Sequence, residues 1–149
     1  VDGGGVLVLW HGIFTMSGGE VSGNSAAQGG GVYVNGGTFT MNGGVVNGNT
    51  ATTNVHSGGG VGLWGGTFTM NGGEVSGNRA TQGGGVGVNG GTFTMNGGVI
   101  YGSEESDDKA NIANSGAAIY KKDNGSVNPS NLLTGATRDM TIDMRELTP

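Results

Sequence analysis

Apolar and polar residues alternate in a short segment, Gly-Gly-Thr-Phe-Thr-Met-Asn-Gly-Gly, that occurs at 36–44, 65–73 and 90–98, with a degenerate copy at 11–19. Successive side chains of a β-strand point to opposite faces, so Phe and Met share one face and the two Thr residues share the other. Burying Phe and Met is favourable, whereas burying unpaired hydroxyl groups is costly. The pattern therefore predicts strands with Phe and Met inside and Thr outside.

The segment belongs to a longer repeat that begins at a glycine triplet. Repeats begin near residues 3, 29, 58 and 83, with a weaker copy near 116, and each holds three short β-like runs separated by Asn-Gly or Gly-Gly turns. Tandem hairpins also place Asn-Gly between β runs. The near identity of the repeats instead favours stacking of equivalent positions, about 4.8 Å apart. We therefore predict an all-β parallel β-helix, a solenoid of three short strands and about 25 residues per coil.

This register defines the expected core and domain limits. Four clear coils form a repeat domain over residues 1–120, and residues 121–149 form a divergent coil or capping segment. Asn24, Asn49 and Asn78 fall at one bend, where a ladder of amides would satisfy the turn backbone. The interior should hold a Phe stack, a Met stack and smaller apolar residues: Phe14, Phe39, Phe68, Phe93; Met16, Met41, Met70, Met95; Val32, Val34, Val46 and Ala51.

A second periodicity spans two coils. The first and third coils share Leu-Trp and Gly-Gly-Glu-Val-Ser-Gly-Asn, whereas the second and fourth share Val-Asn-Gly-Gly-Thr and Gly-Gly-Val-Val or Gly-Gly-Val-Ile. The unit that duplicated is therefore interpreted as a pair of coils.

Composition narrows the class of protein. Glycine contributes 36 of 149 residues, but only two prolines and no Gly-X-Y period are present, which excludes collagen. Cysteine is absent, so disulfides are excluded, and no apolar run is long enough for a transmembrane helix. Residues 1–100 carry only four charges, at Asp2, Glu20, Glu74 and Arg79, which argues against nucleic acid as a partner.

The two ends of the chain differ in pattern. Leu7 and Leu9 align with the smaller Val32 and Val34, and Ile13 takes a place that Thr holds elsewhere, so the first coil is the most apolar. No signal peptide is visible, and we expect a mature or excised fragment. The tail returns to strand-like alternation and is expected to cover the last coil. An uncovered end would stack on further chain or on another subunit, through Leu7, Leu9, Ile13, Met140, Ile142 and Met144.

The outward Thr residues are a candidate binding surface. In register they form a Thr-x-Thr ladder that resembles the ice-binding face of β-helical antifreeze proteins. Threonine also suits any exposed strand, where it hydrogen-bonds its ladder neighbour, and this simpler interpretation stays open. The ladder comprises Thr15, Thr38, Thr40, Thr67, Thr69, Thr92 and Thr94.

Two tryptophans are a second candidate. Counting back from Phe14 and Phe68, Trp10 and Trp64 take the position of Asn35 and Asn89, so they should lie two coils, or about 10 Å, apart on one edge. Exposed indoles at that spacing could stack on sugar rings, although packing over a turn is the favoured interpretation.

The remaining polar residues give no catalytic or metal pattern. Glu20 and Glu74 are equivalent carboxylates two coils apart, but Val45 lies between them and no third polar group converges, so solvated surface carboxylates are favoured. His11 and His56 lack the spacing of a zinc site. The acidic run within 103–114 lacks the alternating Asp residues of a calcium loop. A solvated loop is therefore favoured, and a weak cation site is the alternative. No enzyme activity and no cofactor are therefore predicted.

Two strings extend this interpretation. Val-Ser-Gly-Asn-x-Ala with a following Gly-Gly-Gly-Val, and Asn-Ile-Ala-Asn-Ser-Gly-Ala-Ala-Ile-Tyr at 111–120, resemble repeats of pectin-lyase-like β-helices. The resemblance covers about residues 3–120 and is closest to bacterial polymorphic outer-membrane proteins and related surface adhesins. It implies a right-handed helix, export, and adhesive or scaffolding work. Enzymes that share the fold carry catalytic clusters that no position here matches.

The sequence is therefore interpreted as a non-catalytic, extracellular β-helix module of a bacterial surface protein, a rigid spacer or adhesive stalk. The expected partners are other copies of the chain stacked end to end into a filament, adjoining domains of a longer chain, or a host or matrix glycan or protein. An ice-binding protein is the first alternative, and a carbohydrate-binding module is the second.

Overall fold

The computed structural model describes residues 2–54, 57–103, 108–122 and 125–129. Within these ranges the chain forms sixteen short strands, and every strand pair is parallel. None of the described segments is a helix long and apolar enough to cross a membrane. The predicted parallel β-helix is confirmed, and the hairpin alternative is wrong because hairpins pair strands antiparallel.

The strands form three long sheets and one short sheet along the helix axis. Sheet A contains β1 (Val6–Val8), β5 (Val32–Val34), β9 (Val61–Leu63), β12 (Val86–Val88) and β15 (Ile119–Lys121). Sheet B contains β2 (Ile13–Met16), β6 (Thr38–Met41), β10 (Thr67–Met70), β13 (Gly91–Met95) and β16 (Gly125–Pro129). Sheet C contains β3 (Glu20–Ser22), β7 (Val45–Asn47), β11 (Glu74–Ser76) and β14 (Val99–Ile100). Sheet D pairs β4 (Ser25–Ala26) with β8 (Thr50–Ala51).

Coils 1 to 4 each take one strand from each long sheet, as the repeat predicted. We number the coils 1 to 5 from the glycines at which they begin, which all have positive φ: Gly3, Gly29, Gly58, Gly83 and Gly116. Coil 5 contributes β15 and β16, so strand pairing continues to Pro129. The domain boundary at 120 and the right hand of the helix stay predictions.

The coil interior is the predicted ladder of like residues. Phe68 pairs with Phe39 on one side and Phe93 on the other, with ring centroids 4.6 and 4.8 Å away. All three phenylalanines are fully buried, as are Met41, Met70 and the inward valines of coils 2 and 3. Phe14 is only half-buried, since it stacks on Phe39 alone. The core is thus a continuous apolar column along the axis.

The predicted amide ladder is confirmed and runs one coil further than expected. Asn24 Nδ2 donates to Asn49 Oδ1, Asn49 Nδ2 to Asn78 Oδ1, and Asn78 Nδ2 to Asn111 Oδ1, each at 3.0 Å. The second amide proton of Asn49 and of Asn78 binds a backbone carbonyl, of Val21 and Val46 respectively. Amides therefore satisfy the bend that follows sheet C, where sheet D begins in coils 1 and 2.

The glycine triplet is a place where neighbouring coils approach closely. A Cβ added to Gly30 would lie 2.5 Å from the carbonyl oxygen of Gly59 and 2.6 Å from the carbonyl carbon of Thr50. Only glycine fits such a contact, because any side chain would push the coils apart. The repeated triplet is therefore a requirement of coil stacking.

The register of coil 1 differs from the expected alignment. Val6, Leu7 and Val8 pair with Val32, Tyr33 and Val34. The prediction that Leu7 and Leu9 align with Val32 and Val34 is therefore wrong, and the two leucines are exposed rather than buried. At the other end, Met140, Ile142 and Met144 lie outside the described residues, so their capping role stays a prediction.

Candidate functional site

The Thr ladder lies on the outer face of sheet B. Thr38 and Thr40 pair with Thr67 and Thr69, which pair in turn with Thr92 and Thr94. These six residues are half-buried, whereas Thr15 is exposed. Adjacent rows are about 4.8 Å apart and the two Thr of one strand about 6.7 Å apart. The ladder ends in Ile13 at one side and in Ser126 and Asn128 at the other, so three complete Thr-x-Thr rows are present.

An exposed row of amides borders the Thr face, and sequence reasoning missed it. Asn71 Nδ2 donates to Asn42 Oδ1 and Asn96 Nδ2 donates to Asn71 Oδ1, both at 2.8 Å. The signal in the sequence is the Asn that follows Met in coils 2, 3 and 4. Like residues in neighbouring coils hydrogen-bond here as they do in the buried ladder, so the row stiffens this edge of sheet B.

Trp10 occupies the opposite edge, but not as expected. The N–H of Asn35 binds the carbonyl of Val8, and that of Trp64 binds the carbonyl of Val34. These bonds place Leu9, not Trp10, in register with Asn35 and Trp64. Coil 1 has one extra residue between β1 and β2. His11 lies in this longer turn and is the one non-glycine residue of the described chain with positive φ, at 64°. The equivalence that predicted two indoles about 10 Å apart is therefore wrong.

The indole of Trp10 reaches across to coil 2. A Cβ built on Gly36 would lie 2.4–2.8 Å from three atoms of its benzene ring, so the indole covers Gly36 face-on. The side chain is nonetheless 72% exposed, which leaves the other ring face open. Trp64 is 45% exposed. Packing over a turn thus explains how Trp10 is held, and a flat aromatic surface remains available.

The two equivalent carboxylates have different surroundings. Glu20 and Glu74 both pair with Val45, as the repeat predicted. Glu74 accepts hydrogen bonds from Ser76 Oγ at 2.7 Å and from Lys109 Nζ at 3.2 Å. The hydrogen bond to Tyr101, and then that to Glu74, raise the pKa of Lys109. Glu74 is therefore a partner in a surface ion pair, and Glu20 is exposed to solvent.

Other ionisable groups do not converge on a centre. Among the described residues, no group of three or more His, Cys, Asp or Glu is placed to hold a metal ion. His56 and residues 104–107 of the acidic run lie outside the described residues. Tyr33, which sequence reasoning did not single out, is buried on sheet A, and this burial, followed by the charge of Asp2, raises its pKa to about 12.

The first coil carries the largest exposed apolar side chains. Ile13 is 79% exposed, and Leu7 and Leu9 are about half exposed. Within the described chain, β1, β2 and β3 each pair with a strand on one side only, the side of coil 2. An edge strand leaves a row of backbone N–H and C=O groups without ladder partners. This end of the solenoid therefore combines open backbone with apolar surface.

No known protein family, curated protein or solved structure matches this chain. The β-solenoid fold consequently stands on the strand pairing itself. The resemblance of the repeat strings to pectin-lyase-like helices and to polymorphic outer-membrane proteins stays a prediction.

Proposed function

We propose that this chain is a rigid, non-catalytic β-solenoid module of an extracellular bacterial surface protein, where it acts as a spacer or adhesive stalk. The observation that carries the proposal is the continuity of identical contacts along the axis. The Phe stack, the amide ladder and the three long sheets all pass from coil to coil across coils 1 to 4. Such a structure resists bending, and its length grows by about 4.8 Å with each added coil.

Surface charge and repeat strings support the extracellular part of the proposal. The described coils carry few charges, and their outer strands present Thr, Ser and Asn, which suit a module that must remain soluble without a charged partner. The resemblance to repeats of bacterial surface adhesins points the same way. A right-handed pectin-lyase-like helix is part of this proposal.

Two measurements test the proposal. Small-angle X-ray scattering should give the cross-section of a rod, and a tandem of two copies of residues 29–82 inserted in register should lengthen the rod by four coils at constant cross-section. An antibody to the chain should label intact cells of the source bacterium and lose its epitope after external protease. A compact tandem, or labelling only after permeabilisation, contradicts the proposal.

Ice binding is the second candidate, favoured by the three in-register Thr-x-Thr rows on one flat sheet. A regular array of methyl and hydroxyl groups is what an ice face would require. The test is thermal hysteresis of the parent protein and of Thr69→Tyr, with Ser22→Tyr on sheet C as the matched control. Hysteresis that disappears only in Thr69→Tyr supports ice binding, and a parent without hysteresis excludes it.

Glycan binding is favoured by one specific observation, the open face of the Trp10 indole. An aromatic face held by packing on its other side can stack on a sugar ring. Binding on a glycan array should be lost in Trp10→Ala and retained in Leu9→Ala. Equal binding by both variants, or none by the parent, excludes this role.

A further inference from the structure

The N-terminal face of coil 1 presents groups whose equivalents in coils 2, 3 and 4 are covered by the preceding coil. Phe14 stacks on Phe39 at 5.0 Å, and no other described ring covers its outer face. Asn24 donates to Asn49 Oδ1 from both its backbone N–H and its Nδ2, at 3.0 Å. Within the described part of the chain, nothing donates to the Oδ1 of Asn24 itself. The face therefore offers one ring face and one amide acceptor, in addition to open strand edges.

The equivalent face of coil 3 is covered by coil 2 within the molecule. Coil 3 has the sequence type of coil 1, and coil 2 covers its N-terminal side. There Phe39 stacks on Phe68 at 4.6 Å, and Asn49 donates to Asn78 Oδ1 from both its backbone N–H and its Nδ2. Phe14 and Asn24 are the coil 1 equivalents of Phe68 and Asn78. The coil 2–coil 3 junction thus shows what chemistry fits the open face.

A third position shows which type of coil belongs there. Along sheet C the outward residue alternates in register, from Glu20 to Val45, Glu74 and Val99. We call coils 1 and 3, which carry Glu, odd-type, and coils 2 and 4, which carry Val, even-type. Two odd-type coils in contact would place carboxylates on adjacent strands about 4.8 Å apart, and like charges directly opposite each other destabilise a sheet. The alternation therefore disfavours an odd-type neighbour.

We propose that the N-terminal face of coil 1 is a docking surface for an even-type coil of this same repeat. The docking coil supplies Phe at the position of Phe39, an uncharged Val at that of Val45, and an amide donor at that of Asn49. The alternation of Glu and Val selects the docking coil, because a coil with Glu at this position would place a second carboxylate beside Glu20 and be repelled. This inference rests on the proposed spacer role, since a spacer extends by adding coils in the correct order.

Two fusions of equal design test the proposal. Residues 29–57, an even-type coil, or residues 58–82, an odd-type coil, are joined directly before Gly3 of the full chain. We expect the even-type fusion to unfold at a higher temperature than the parent chain, and the odd-type fusion to gain less. Glu20→Gln should raise the melting temperature of the odd-type fusion and leave that of the even-type fusion unchanged. If the two fusions gain equally in melting temperature, or if Glu20→Gln changes both by the same amount, the proposal that the Glu20 charge selects the docking coil is overturned.

Hydrogen exchange gives a second readout that does not depend on total stability. In the even-type fusion, the backbone N–H groups of β1 and β2 that point away from coil 2 should exchange at least about tenfold more slowly than in the parent chain. Unchanged exchange overturns the docking surface. Protection of the same amides in the parent at high concentration, with a dimer in sedimentation, shows that a second copy covers the face and also overturns the proposal. The scattering and surface-labelling results are independent of these outcomes, so the spacer role can fail separately.

Discussion

Coils 1 and 3 have nearly the same sequence but different surroundings. Phe68 in coil 3 is fully buried between two rings, whereas Phe14 in coil 1 is half-buried against one. Asn78 is fully buried, whereas its equivalent Asn24 is half-buried. Equivalent residues are thus fully buried when a coil lies on both sides of them and half-buried when a coil lies on one side only.

This comparison shows that the stability of the solenoid resides in the junctions between coils. A single coil has almost no interior of its own, because three short strands enclose only one layer of side chains. Each junction between coils 1 and 4 adds a Phe contact, an amide hydrogen bond and at least three strand pairings at once. Stability should therefore be a sum over nearest-neighbour junctions, with the end coil contributing least.

The largest expected effect tests this difference in the Phe stack. Phe68→Ala should destabilise the protein by about 3–5 kcal/mol, because it leaves a cavity between two rings in the closed core. Phe14→Ala should cost less than half as much, since the site is open on one side. Urea unfolding followed by circular dichroism measures both. Equal losses would mean that coil 1 is covered in solution by something absent from a single chain.

The amide ladder gives the next largest effect. Asn78→Ala removes the acceptor of two Asn49 donors and leaves the carbonyl of Val46 without its amide partner. Leaving several buried polar groups unpaired should cost about 3 kcal/mol. Asn24→Ala removes only the Nδ2 donor at the open end and should cost about 1 kcal/mol. The same unfolding experiment serves, and a larger loss in Asn24→Ala would contradict the ladder account.

Tyr33 gives a pH-dependent comparison with Leu7, its exposed equivalent in coil 1. Burial first, and then the charge of Asp2, raise the pKa of Tyr33 from 10.0 to about 12. The folded state therefore holds the phenolic proton more tightly than the unfolded state. The resulting stability is complete below pH 10 and is lost between pH 10 and 12, by at most about 1–2 kcal/mol because solvent screens part of the effect.

Alkaline unfolding titrations of the parent and of Tyr33→Phe test this expectation. Tyr33→Phe should lose less stability than the parent between pH 10 and 12, because the phenolic proton is no longer linked to folding. Parallel curves for the two proteins would show that Tyr33 is solvated in both states.

The smallest expected effect concerns the two carboxylates. Glu74→Gln breaks a surface ion pair with Lys109, and Glu20→Gln removes a solvated charge. Surface ion pairs contribute little, so thermal unfolding at low salt should show a slight loss for Glu74→Gln and none for Glu20→Gln. At high salt the two variants should coincide with the parent. A large loss for Glu20→Gln would reveal a partner that the coil 3 equivalent does not have.

The fold was predictable because its determinants are local and repeated. Alternation in Thr-Phe-Thr-Met assigned the inside and outside of sheet B, and repeat identity assigned parallel stacking. The errors occurred where coil 1 departs from the repeat. Counting from Phe14 and counting from the glycine triplet give different registers for Trp10, and only backbone pairing between β1 and β5 shows where the extra residue lies.

The candidate surfaces were predictable in part. The Thr ladder followed from the pattern, whereas the amide row beside it was missed, because one turn Asn gives no sign that its neighbours lie within hydrogen-bond distance. The half-buried state of the Thr residues and the burial of Tyr33 were also not predictable. Both depend on the residues that flank each side chain in the neighbouring coils, and those contacts are distant in sequence.

By itself the sequence determined the coil, its three strands, its apolar column and its buried Asn ladder, since each follows from side-chain alternation and from like residues stacking on like. Only the tertiary structure decided the register of the first coil, the placement of the Trp10 indole over Gly36 and the difference between Phe14 and Phe68. These properties belong to junctions rather than to coils. A junction exists only when two coils meet, so no single repeat can encode it.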